Sequence, residues 1–189
     1  MCDPGSARIP GVPGVIIRER TADDVDACVK AVAEVHAADR YPTNWPAEPA
    51  GWLNPDGLVG SWVAESDGVV LGHVALQQGH GPCAVPAVLD AAGVEPARLA
   101  AVARLFVVPA ARRQGVAAAL MDAVGEEAAQ RGLRLVLDTV GHAPAALAFY
   151  ERTGWRRVLS QTASWTRPGG GEVTMHYYLG PDRVETATR

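Results

Sequence analysis

Residues 102–138 read VARLFVV, then PAARR, then QGVAAALMDAVGEEAAQRG, then LRLVLD, and this succession limits the fold more than any other feature of the chain. The first run is β-branched and aromatic, as strands are, and Pro109 ends it because proline cannot continue a ladder. From Gln114 to Arg131 the apolar positions Val116, Leu120, Val124 and Ala128, with Met121 beside them, keep a helical period. Asp122, Glu126, Glu127 and Gln130 cover the opposite face. Gly132 stands where a helix commonly ends. In 133–138, Leu133, Leu135 and Leu137 alternate with Arg134, Val136 and Asp138, which gives a strand two distinct faces. A second helix follows, with Pro144 near its first turn and Gly154 beyond its last. The core of the chain is therefore strand, helix, strand, helix.

The flanking pattern extends this unit. GVIIRER (14–20) is strand-like, and Thr21 caps a helix reaching about Asp39, with Ala22, Asp23 and Asp24 in its acidic first turn. Four prolines and two tryptophans make 40–57 an irregular or briefly helical segment. GSWVAES and VVLGHVALQQ lie on either side of Asp67 and Gly68, a strong hairpin signal. Residues 79–100 read as a long connection, and long connections in compact domains often cover functional sites. WRRVLSQTASW and EVTMHYYLG, separated by Pro168 and three glycines, close the chain as a strand pair. The order β-α-(irregular)-β-β-(long loop)-β-α-β-α-β-β implies a mixed α/β or α+β sandwich around one sheet. With 189 residues, a single domain over 14–180 is expected, with a Gly- and Pro-rich leader over 1–13 and a polar tail over 181–189.

Composition removes several functions. A net charge of -4 argues against a broad nucleic-acid surface and tilts any small-molecule partner toward a cationic one. No apolar run approaches membrane-spanning length, and the first residues carry no apolar stretch of the secretory kind. Cys2, Cys28 and Cys83 are odd in number and lack a CxxC spacing, so no disulfide framework or zinc site is expected, and a cytoplasmic, reducing location fits. His80 and Cys83 form an H-x-x-C pair without the second pair that a structural metal needs.

The start of the 114–131 helix lacks the Ser, Thr, Asp or Asn that normally satisfies its leading amides. Such amides serve either water or an incoming anion. Gly115 has no Cβ to block approach, Ala117 is nearly as small, and Arg112 and Arg113 add positive charge, so a pyrophosphate would satisfy every feature of the site. Helix starts at the C-terminal end of a strand are also where α/β sheets commonly bind ligands. Taken alone the string is common, and a surface helix with solvated arginines explains it too.

LFVVPAARRQGVAAALM, followed some thirty residues later by ALAFYERTGW, resembles the GNAT superfamily of acetyl-CoA dependent N-acetyltransferases over about 14–180, most specifically over 103–155. The resemblance implies a three-layer sandwich. Its mixed, mostly antiparallel sheet would have about seven strands with splayed central members, flanked by about four helices. It implies transfer of an acetyl group from acetyl-CoA to a primary amine of a small molecule or peptide by direct attack in a ternary complex. The alternative is a non-catalytic acyl-CoA binding domain. It places the cofactor pyrophosphate on Arg112, Arg113, Gln114, Gly115, Val116, Ala117 and Ala118. The strand of Leu105, Phe106, Val107 and Val108 would part from 133–138 and pair with the pantetheine arm. Tyr150 becomes the acid that protonates the departing thiolate, and Asp138 the base for the amine, although it could equally order the loop 139–142. Relatives often carry Asn where this chain has Ala143, so a cofactor contact is lost there, with His142 a neighbouring substitute. Tyr41, Trp45 and Trp52 fall where the family builds part of its acceptor pocket, and serve an amine or anchor the loop. No metal is implied, and a homodimer through the last strands or the 79–100 connection stays open.

Overall fold

The computed structural model describes residues 7–8 and 14–181. Residues 1–6, 9–13 and 182–189, hence most of the expected leader and tail, lie outside the described residues. Within the leader Ala7–Arg8 forms a short strand, β1, whose two residues pair antiparallel with Ile17 and Ile16. The chain forms two compact units, one from the residues through Gln77 with Ala103–Val124, the other from Gln78–Val102 with the residues from Gly125 on.

In the first unit β2 (Val15–Glu19), β3 (Leu58–Ser66) and β4 (Val69–Gln78) are successive antiparallel neighbours. The Asp67-Gly68 signal holds: both residues are left-handed, with φ of 48° and 79°, the backbone that a tight hairpin turn with strand-matched twist requires. Behind β2 a 3-10 turn over Ala22–Asp24 leads into α1 (Val25–Asp39). Cys28, Ala31, Val32 and Val35 fall on one face of α1 and are buried. The entry to this helix is tied by charge. Thr21 donates its backbone N–H (2.7 Å) and hydroxyl (2.9 Å) to the Asp24 carboxylate, and Arg18 donates two further bonds of 2.7 Å to it. Arg18 also reaches Glu65 on β3 at 2.8 Å. The Arg18 guanidinium holds the Asp24 carboxyl well below the usual carboxylate range. The segment 40–57 contains one short helix, α2 (Pro49–Trp52), begun by proline.

In the second unit β5 (Leu99–Val107) starts as a parallel partner of β6 (Arg134–Val140), from Leu99 with Arg134 to Val102 with Leu137. β6 pairs antiparallel with β8 (Thr174–Leu179), and β8 with β7 (Arg156–Thr162). Beyond Val102, β5 runs on into the first unit, and α4 (Val116–Gln130) begins there and ends in the second. α5 (Pro144–Arg152) has Pro144 at its start and Gly154, at φ 85°, beyond its end, as expected.

Two expectations need correction. The stretch 79–100 is not an open connection. It holds a 3-10 turn over Gly81–Ala84, the helix α3 (Pro86–Ala92) and a second 3-10 turn over Pro96–Arg98. Val88 and Ala92, one helical turn apart, pack with Cys83 against Leu99, Ala101, Val136, Tyr177 and Leu179. Burying a single valine is worth about 1.5–3 kcal/mol, enough to hold a seven-residue helix that would not persist alone. Secondly, β5 begins at Leu99 rather than Val102. Leu99, Ala100 and Ala101 are buried, but alanines carry little strand signal in sequence.

Candidate active site

The chain between β5 and α4 turns sharply. Val108 donates its N–H to Leu71 (2.8 Å), and a 3-10 turn over Pro109–Ala111 follows. Residues 112–115 are turns, not the first residues of the helix expected from Gln114, and Arg113 and Gly115 are left-handed at φ 62° and 84°. Left-handed residues of this kind turn the chain sharply just ahead of the helix, and at Gly115 without the cost that a Cβ would bring. The first helical bond of α4 runs from Ala119 N–H to Gly115 C=O at 3.0 Å. The amides of Val116, Ala117 and Ala118 therefore precede the helical ladder, at the positive end of the helix dipole. Val116 is buried and anchors the turn, while Gly115 and Ala118 are exposed and Ala117 is half-buried.

The two arginines have different employment. Arg112 donates to the Val107 carbonyl (3.1 Å) and pairs with Asp39 at the end of α1 (2.5 Å), so its charge is already matched and it fixes the loop. Arg113 is exposed, and Gln114 donates to the Ala110 carbonyl at 3.0 Å. Phe106 on β5 and Val108 just past it are buried, whereas Leu105 and Val107 are half-buried.

Beside this strand lies a polar group that the motifs do not mark. His73, fully buried on β4, stacks on Phe106 with ring centroids 5.4 Å apart. Its Nδ1 lies 3.0 Å from the Arg104 carbonyl and its Nε2 3.3 Å from Nη1 of Arg20. A carbonyl only accepts and a guanidinium only donates, so the imidazole is neutral with its proton on Nδ1. Burial pushes its pKa down to about 4, the Arg20 and Arg104 charges push the same way, and the bond to the Arg104 carbonyl opposes them. Arg20 also donates to the Leu53 carbonyl (3.1 Å) and to Asn54 Oδ1. Arg104, left-handed at φ 55°, donates to the Trp52 carbonyl (2.9 Å) and lies 4.4 Å above the Trp52 ring. Tyr41 meets Trp52 edge-on at 5.9 Å, and Trp45 lies 5.0 Å from His36, whose Nδ1 is 2.9 Å from the Pro42 carbonyl. A sequence signal for the polar group did exist: Arg20, His73 and Arg104 each interrupt or end an apolar strand run.

The second unit carries the remaining candidates. Tyr150 is buried on α5, with its ring centroid 5.9 Å from Tyr178 and 6.0 Å from Trp155, while Phe149 is half-buried. Asp138 is an exposed residue of β6 opposite Tyr177 on β8. Its charge helps keep the Tyr177 hydroxyl and the buried Cys83 thiol protonated, and burial, the larger cause, pushes that thiol up to about 11. Ala143 precedes α5 and accepts from Ala146 (3.0 Å) and Leu147 (3.1 Å), with no side-chain cap. His142 is exposed.

The sequence of this same region decides the family. The Acetyltransferase (GNAT) family model matches residues 26–155, a span that holds the α4 turn, Asp138 and Tyr150. The chain belongs to the acetyltransferase (GNAT) family. Solved structures of GNAT-type acetyltransferases share its mixed, mostly antiparallel α/β fold. An N-acetyltransferase from Staphylococcus aureus Mu50 aligns with a TM-score of 0.68 at 17% identity, over 87% of this chain and 96% of that one. Arabidopsis thaliana NAA60 in complex with acetyl-CoA gives 0.66 at 18%, over 87% and 97%. The ribosomal-protein-S18-alanine N-acetyltransferase of Escherichia coli gives 0.64 at 18%, over 93% and 99%. A comparison with curated proteins finds no match. Among the described residues no helix is long and apolar enough to cross a membrane.

Proposed function

We propose that this GNAT chain transfers the acetyl group of acetyl-CoA to a primary amine of a small molecule or peptide, by direct attack within a ternary complex. The observation that carries the reading is the turn at 112–115, whose left-handed Arg113 and Gly115 present the amides of Val116, Ala117 and Ala118 ahead of the helical ladder. Those donors suit a pyrophosphate, and the absence of a Cβ at Gly115 lets it come close. Bound acetyl-CoA supplies the thioester carbonyl that the amine attacks. Arg112, locked to Asp39 and Val107, keeps the turn in shape, and Arg113 adds charge at its rim. The four-pair ladder of β5 with β6 ends at Val102, and beyond it the Leu105–Val108 stretch, whose Val108 N–H is given to Leu71 and whose Val107 carbonyl is taken by Arg112, pairs through its other peptide groups with the amide-bearing arm. In this reading Tyr150 donates its hydroxyl proton to the departing sulfur, and its ring is fixed by Trp155 and Tyr178. Asp138 takes the amine proton, and its exposure gives water access to the proton's exit. Ala143 contributes only backbone at this position.

The test mixes the protein with acetyl-CoA and a panel of amines, with calorimetry for binding and free thiol for turnover. Saturable thiol release that depends on the amine supports the reading. Acetyl-CoA binding without release for any amine would leave an acyl-CoA binding domain.

A further inference from the structure

Two arginines two residues apart in sequence have opposite surroundings. Arg18 is held by two carboxylates, Asp24 and Glu65. Arg20 is held by neutral acceptors alone: the Leu53 carbonyl, the Asn54 amide oxygen and the His73 ring. Among the described residues no carboxylate pairs with it. The exposed acids of the adjoining segment, Glu48 and Asp56, make no such contact. Burial pushes the Arg20 guanidinium below its ordinary pKa although the Asp24 charge acts the other way, the sign of a cation whose lost hydration is only partly repaid. A second guanidinium, that of Arg104, donates to the carbonyl of the residue next to Leu53.

Donor counting sharpens this. A guanidinium has five N–H groups. The contacts of Arg20 use Nη1 twice and Nη2 once, which leaves the Nε hydrogen and one on Nη2. These are two donors on neighbouring nitrogens of one rigid plane, and a carboxylate takes up such a pair with both oxygens. His73, neutral and bonded at both ring nitrogens, fixes the plane's orientation as a positioning residue. Arg104 lies on β5 one residue before the Leu105–Val108 stretch assigned to the cofactor arm, and the Phe106 ring stacks on His73.

We infer that the acceptor is a small amine that also carries a carboxylate, and that Arg20 binds this carboxylate beside Arg104 while the amino group faces the thioester; the inference rests on the acetyl-transfer reading above. The amine is then the cationic end of a zwitterion, bound near Trp52, which lies under the Arg104 guanidinium with Tyr41 edge-on to it.

The test is steady-state thiol release with matched acceptors, α-amino acids against their carboxamides, alongside diamines and short peptides, for the wild type and for Arg20→Gln and Arg20→Lys. A charge-assisted bond predicts that at least one free acid exceeds its amide in kcat/KM by about tenfold or more. Arg20→Gln should remove this preference through KM, with kcat and calorimetric acetyl-CoA affinity within about twofold, and Arg20→Lys should restore part of it. Amides and diamines turned over as well as acids would overturn the inference and leave acetyl transfer standing. An unchanged KM in Arg20→Gln would do the same. Should that variant fail to fold, the wild-type ratio of acid to amide decides. Acetyl-CoA binding with no thiol release from any amine would instead overturn acetyl transfer, and the carboxylate assignment with it.

Discussion

Acidification should weaken this fold through one side chain. The His73 pKa falls from 6.5 to about 4 on folding, because burial and two guanidinium charges disfavour the imidazolium. In the window between those values the unfolded chain binds a proton that the folded chain refuses. The stability in question is complete above 6.5 and is lost progressively as the pH drops toward 4. The loss is about 1.4 kcal/mol per unit, or roughly 3 kcal/mol in all. That is a large part of the ~5–15 kcal/mol that stabilises an ordinary domain. Urea unfolding of the wild type and of His73→Gln at about pH 7, about 5.5 and about 4.5 checks it. Glutamine keeps a donor and an acceptor but cannot titrate, so carboxylate effects common to both proteins cancel in the difference. The variant should start lower, and the gap should close by about 1 kcal/mol at the middle pH and by between about 2 and 3 kcal/mol at the lowest. Parallel losses in the two proteins would refute the reasoning, because they would mean that His73 titrates alike in folded and unfolded chains.

Other substitutions separate the cofactor turn, the acid and the packing behind β5. Gly115→Val places a branched side chain at φ 84°, a conformation costing an L-residue about 1–2 kcal/mol, and should weaken acetyl-CoA at least about tenfold by calorimetry; undiminished affinity would remove this turn from the site. Tyr150→Phe should lower kcat about a hundredfold or more with acetyl-CoA affinity within about twofold, and unchanged turnover would remove Tyr150 from proton transfer. Gly72→Ala puts a Cβ 2.9 Å from the Phe106 carbonyl oxygen, 3.1 Å from Leu120 Cδ1 and 3.3 Å from Val107 Cγ2. Because the nearest atom is backbone, urea unfolding should show a loss of about 1–3 kcal/mol, and a neutral result would show that β5 shifts freely there.

Where local chemistry decided the structure, the sequence was legible. Asp67-Gly68 and Gly132 act through tolerance of positive φ, Pro109 and Pro144 through a fixed φ, preferences that hold in any context, and the elements they bound appear where those residues put them. α3 escaped because a short helix is stabilised by its buried face, and the partners of Val88 and Ala92 come from strands distant in sequence. The early start of β5 escaped because alanines have no preference for a strand until neighbours bury them.

The candidate site divides along the same line. Gly115 and the bare helix start are written in consecutive residues, so the anion turn could be read directly, although the left-handed Arg113 and the capture of Arg112 by Asp39 could not. Arg20 follows the last residue of β2, His73 stands on β4 and Arg104 on β5, and their relation exists only once the chain has folded. One rule would have exposed them earlier. A charged or titratable residue that interrupts or closes an apolar strand costs free energy unless it is bonded, so each such interruption demands a partner, and three in one half of a chain point to one another. His73 and Arg104 answer that demand within the described contacts. Arg20 keeps two N–H donors beyond its bonds to Leu53, Asn54 and His73 and has no bonded carboxylate among the described residues, and this residual imbalance ties the fold of the first unit to the choice of acceptor.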